Sequence, residues 1–115
     1  MNEIEINGEI YIKKSSIEPI IKSNYVIVRT YSAGVFAGNI ASQDKQHIVL
    51  FNARRIWYWD GASSLSQLAM EGTTKPENCK FPCEVDRVEL LEVIEILNVT
   101  SKAERSIKEV PVWNQ

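Results

Sequence analysis

At 115 residues the chain is long enough for one domain with a sizeable core and too short for two comfortable ones. Apolar residues make up 44% and charged residues 24%, ordinary values for a soluble globular protein. The net charge of -2 excludes a general DNA or RNA binder that works by neutralising phosphates, but leaves room for a local basic pocket.

No apolar run approaches the roughly 18–20 residues needed to span a bilayer. The opening Met1-Asn2-Glu3-Ile4-Glu5 has no signal-peptide core, so the expectation is a cytoplasmic protein with no membrane partner. Cys79 and Cys83 are the only cysteines and His47 is the lone histidine. That set is a poor zinc signature, and free thiols are the better reading; neither metal nor cofactor is expected.

Residues 3–13 read as a β-hairpin. Glu3 to Ile6 and Glu9 to Lys13 alternate in polarity around Asn7-Gly8, the strongest two-residue turn signal. With the connector that follows, residues 1–22 form an N-terminal extension, in which 17–22 is a candidate short helical turn. Residues 23–115 form a single α+β ligand-binding domain.

In that domain 24–31 is a strand rich in β-branched and aromatic residues, and 35–41 is a second. Ser42 to Lys45 form a polar hairpin loop. A third strand starts at His47 and runs on to Trp59, with a bend or bulge near Asn52-Ala53. Short polar joints between consecutive strands predict an antiparallel meander. Ser63 or Ser64 caps a short middle helix reaching Met70 or Glu71, and Gly72 closes it. The stretch 73–81 is a loop, and 85–90 and 93–97 are strands. Thr100 or Ser101 caps a C-terminal helix over 102–108, with Ser101 to Glu104 fitting a capping box. Pro111 stops that helix, and Trp113 folds back as an anchor.

The segment Asn52 to Trp59 concentrates two arginines and three large aromatic residues in eight positions. Strand alternation places Arg55, Trp57 and Trp59 on one face and Arg54, Ile56 and Tyr58 on the other. Planar cations beside aromatic faces suit phosphate and a stacked base. Lys80 beside Phe81 in a loop adds a cation and a ring, and Arg105 and Lys108 share one side of the last helix. Against this stands the plainer reading that tryptophan and tyrosine in strands are more often core or interface. An enzyme is not expected, because the chain carries none of the usual nucleophile, phosphate-loop or metal motifs.

The runs YVIVRTYSAGVFAG (25–38), NARRIWYWDGA (52–62), LSQL (65–68), KFP (80–82) and SIKEVPVW (106–113) resemble a small family of phage and prophage proteins. That family is similar to the first-described phage inhibitors of the bacterial Thoeris defence. Those are non-enzymatic sponges that sequester glycocyclic ADP-ribose, and some also hold cyclic oligonucleotides of CBASS defence. The resemblance implies a homo-oligomer built from dimers, with ligand near subunit boundaries. It also implies Phe81 as an adenine-stacking residue, with Arg54, Arg55 and Lys80 as phosphate contacts and Arg105 and Lys108 beside them. The alternative is an interaction module that blocks a host protein through its aromatic and arginine patch.

Overall fold

The computed structural model describes residues 24–114, so the hairpin at 3–13 and the turn at 17–22 lie outside the described residues. The fold is α+β: a five-stranded antiparallel sheet with two helices. The strands are β1 (Tyr25–Thr30), β2 (Val35–Asp44), β3 (His47–Arg55), β4 (Glu84–Leu90) and β5 (Val93–Asn98). Helix α1 spans Leu65–Glu71, α2 spans Ser101–Glu109, and a 3-10 turn occupies Pro76–Asn78.

The sheet order is β4-β3-β2-β1-β5, so the first four strands form the expected meander while β5 returns beside β1. The joint Leu91-Glu92 therefore links the two sheet edges rather than a hairpin. Three Cα steps reach at most about 11 Å. Edges of a flat five-stranded sheet would lie about 19 Å apart. The sheet must curl, and two contacts pin the curl. Tyr31 N–H donates to the Glu92 carbonyl (2.9 Å), and Val93 N–H to that of Gln46 (3.1 Å).

Curling gives both faces of the sheet something to bury. Val26, Val28, Phe36, Ile48, Leu50, Ala53, Leu90 and Val93 pack inside the curl. Tyr25, Ile27, Ala37 and Ile56 pack outside it, against Leu68 and Ala69 of α1 and Ala103 and Ile107 of α2. This explains the continuous apolar run at the start of β1, a central strand covered on both sides.

A bulge in β3 decides which arginine faces which side. Asn39 pairs with Phe51 and Ala37 with Arg54, so β3 takes three steps where β2 takes two. The extra residue falls at Asn52-Ala53 as expected, and Asn52 has φ 52, in the left-handed region. Gly38 leaves room for it: a Cβ there would lie 3.0 Å from Ala53 Cα. Ile48 and Leu50 point inward before the bulge; after it the parity changes, with Ala53 inward and Ile56 under the helices.

Strand boundaries differ from the sequence expectation, while the helix caps fall on residues it named. β2 runs to Asp44 and the turn falls on Lys45-Gln46, where Lys45 takes φ 58. β3 ends at Arg55, because Ile56 N–H turns to the Val35 carbonyl (2.8 Å) and the chain leaves the β3–β4 ladder. Thr100, not Ser101, caps α2; its hydroxyl accepts from Ala103 N–H (3.1 Å). Ser64 caps α1, and Gly72 closes it with φ 80, its N–H bonded to the Leu68 carbonyl.

Candidate functional site

Arg54, under the helices, is enclosed and bonded to carbonyls of the protein. Its side chain is 5% exposed. Nε donates to the Pro82 carbonyl, Nη2 to Phe81 and Nη1 to Ile107, each at 3.0 Å. The Ile107 carbonyl lies in the last turn of α2, the negative end of that helix, which favours a cation there. Burial lowers its pKa, opposed by Tyr25 and Glu84 nearby, but a guanidinium remains charged. The expected phosphate contact at Arg54 is thus a clamp between β3, α2 and the 81–82 segment.

Phe81 is also removed from the surface. Its ring is 0% exposed within the outer core cluster, and the Arg54 guanidinium lies 5.4 Å from its centroid. The adenine-stacking role expected for Phe81 needs an open ring face, and this ring is enclosed. Trp59 does not share a face with Trp57 as alternation predicts. It is half-buried against the same core, with its indole N–H on the Ala62 carbonyl (3.2 Å). Arg105 is exposed on α2. Lys108 pairs with Glu104 (2.7 Å) and lies over the Tyr25 ring (5.1 Å).

What the fold does gather is an exposed rim beyond the end of β3. Trp57 N–H donates to the Lys80 carbonyl (3.1 Å), and Lys80 N–H to that of Tyr58 (2.7 Å). On the other side, Phe81 bridges to Val112 in parallel, and Trp113 N–H reaches the Phe81 carbonyl (3.0 Å). Three short segments thus lie side by side, and the buried Phe81 ring anchors the middle one. Their outward side chains form the site. The Lys80 ammonium lies 5.8 Å from the Tyr58 ring centroid and 5.5 Å from that of Trp113. Trp57 is 64% exposed and Tyr58 50%.

Arg55, two residues before Trp57 in the chain, has its own setting. Its guanidinium carbon lies 4.3 Å from the Phe36 ring centroid, and Nη1 donates to the Ala33 carbonyl. Trp57 and Lys80 are therefore the expected site residues that the backbone pairing brings together, while Arg55 lies on Phe36 and the β1–β2 turn. Trp113, expected as an anchor, also supplies a ring. Phe36 was missed; only the β2–β3 register, in which Phe36 faces Arg55, places it there.

A depression of about 320 Å³ opens between the β1–β2 and β4–β5 turns, lined by Thr30, Ser32, Leu90, Leu91, Glu92 and Ala33, the residue whose carbonyl holds Arg55. Glu89 also borders it, so its sign disfavours an anion. Among the described residues no group of three or more His, Cys, Asp and Glu side chains is placed to hold a metal ion. Cys79 is buried and Cys83 exposed, both as free thiols. No helix among the described residues is long and apolar enough to cross a membrane.

No curated protein and no solved structure matches the chain. A family model, described as a domain of unknown function (DUF6948), matches residues 23–107. With the match spanning β1 to the greater part of α2, the chain belongs to the DUF6948 family.

Proposed function

We propose that this protein is a phage-encoded sponge acting in the host bacterial cytoplasm. It captures a small anionic immune messenger, glycocyclic ADP-ribose or a cyclic oligonucleotide, and holds it without breaking it. The observation that carries this reading is the exposed rim itself. Lys80 stands over the Tyr58 and Trp113 rings beside the exposed Trp57, and Arg55 precedes Trp57 by two residues in the chain. Stacking plus charge-assisted hydrogen bonds give reversible capture and require no general base. A rim encloses a ligand on one side only, whereas small-molecule sites bury most of the ligand surface. The reading therefore includes a second copy of the chain as the opposite wall.

Heat release tests it. The protein is incubated with glycocyclic ADP-ribose or cyclic di- and trinucleotides, freed of unbound ligand, denatured, and the supernatant chromatographed. A sponge returns the intact compound. Altered compound would mean an enzyme, and no retained compound removes the sponge reading. In calorimetry, Arg55→Ala and Trp57→Ala are each expected to weaken binding by about tenfold or more, the loss of one charged hydrogen bond or one stacked ring.

The second reading is a module that blocks a host protein. What favours it is the exposure of Trp57 and Tyr58 side by side in the chain, residue types enriched in interface hot spots. Such a protein would ignore small nucleotides in the same assay.

A further inference from the structure

Arg55 is held from two sides before any ligand arrives. Below it lies the Phe36 ring, 4.3 Å away, itself only 4% exposed and packed in the inner cluster. Beside it, the Ala33 carbonyl accepts from Nη1. The turn that carries this carbonyl depends on Gly34, which has φ 97 and would place a Cβ 3.4 Å from Nη1. A guanidinium carries five N–H groups. The contact to Ala33 uses one of them, and Nε and Nη2 bond to no described residue. Those two groups share one edge, with parallel N–H directions matched to two oxygens of a single anion.

We propose that Phe36 is a positioning residue: it holds the Arg55 guanidinium flat and presets its Nε–Nη2 edge as a two-pronged fork for an oxyanion. A long side chain ordered in advance loses less freedom on binding, so the gain appears as affinity. Lysine at 55 has no such edge, and leucine at 36 has no flat face to hold it. That the oxyanion is a ligand phosphate rests on the sponge reading; the presetting of Arg55 does not.

The test uses full-length protein, side-chain NMR of Arg55 and inorganic pyrophosphate as probe. In the free protein the Arg55 Nε–H signal is expected to be ring-shifted, with slow rotation about the Nε–Cζ bond. Pyrophosphate should move that signal. Arg55→Lys should weaken pyrophosphate about tenfold or more. Phe36→Leu should abolish the ring shift and weaken pyrophosphate severalfold, while Phe36→Tyr keeps both. A freely rotating Arg55 in the free wild-type protein overturns the proposal without any variant, and so does pyrophosphate affinity unchanged in Arg55→Lys. The two readings fail separately. Nucleotide capture indifferent to Arg55→Lys sinks the fork and leaves the sponge. Pyrophosphate held at Arg55 with no cyclic nucleotide retained leaves the fork and sinks the sponge.

Discussion

Replacing Arg54 by methionine keeps much of the side-chain length but removes the Pro82 carbonyl's side-chain donor and one of two donors at the Phe81 and Ile107 carbonyls, which keep Trp113 N–H and Val110 N–H. Three charge-assisted hydrogen bonds are lost together, so Arg54→Met is expected to destabilise the fold by about 2–3 kcal/mol. Phe81→Ala opens a cavity in the outer core and is expected to cost about 3–5 kcal/mol. Urea midpoints should show both losses. Trp57→Ala, at an exposed position, should stay within about 0.5 kcal/mol of the parent. The contrast between Arg54 and Arg55 was partly legible in the sequence. Strand alternation alone put neighbouring arginines on opposite faces. Which of them lay under the helices depended on the parity change at Asn52, and on packing that no local pattern reports. Phe81 misled for a related reason. Loops carry binding residues often, but this one is stitched between Tyr58 and Val112, and its ring became the anchor.

At the level of elements, the bulge in β3 is the local device on which the site depends. Asn52 takes a left-handed backbone that asparagine and glycine tolerate and β-branched residues do not. Asn52→Gly should therefore be nearly neutral, and Asn52→Val should cost about 1–2 kcal/mol in a chemical melt. Equal stability of the two variants would mean that the left-handed turn at 52 is not held in solution. The caps offer a second comparison at this scale. Thr100→Ala removes the acceptor for Ala103 N–H and is expected to cost about 1 kcal/mol, whereas Ser101→Ala is expected to leave the melt unchanged. The capping-box pattern pointed to Ser101, because Glu104 follows at the right spacing. The tertiary contact prevailed instead, since the Thr100 hydroxyl also donates to the Met70 carbonyl (2.7 Å) and ties α2 to the end of α1. Helix existence was legible from periodicity and end signals; this choice between adjacent caps was not. The strand ends near Trp57 were equally opaque, because aromatic residues suit a strand and an exposed rim alike.

Across the whole molecule, two titratable groups on segments that close the outer face set a pH window for stability. Asp60 holds the loop after the rim in place. Its carboxylate accepts from Asn78 Nδ2 (3.0 Å) and from Gly61 N–H (2.8 Å), and these bonds keep its pKa below the usual range, the first more than the second. A depressed carboxylate contributes stability above its unfolded pKa of about 3.9, and the contribution fades as pH falls through the lower folded value. Tyr25 sits where β1 meets α2, and burial raises its pKa above the ordinary value, with Glu104 and Glu84 adding to the rise. Here the sign is opposite in pH. The unfolded phenol ionises near about 10 while the folded one resists, so stability is full below that value and declines as pH climbs past it. The curl itself was not visible in the sequence, since a two-residue joint between β4 and β5 reads as a hairpin. Only the pairing of β5 with β1 shows that the joint closes a bent sheet, and β1 begins at Tyr25. Urea midpoints across pH are therefore expected to form a plateau with an acid limb and an alkaline limb. Asp60→Asn should reduce the first, to which Glu89, also held below the usual range by Arg87 and His47, contributes as well, and Tyr25→Phe should flatten the second if it keeps its place between sheet and helix. An alkaline limb that persists unchanged in Tyr25→Phe would assign that transition to another group and remove Tyr25 from this role.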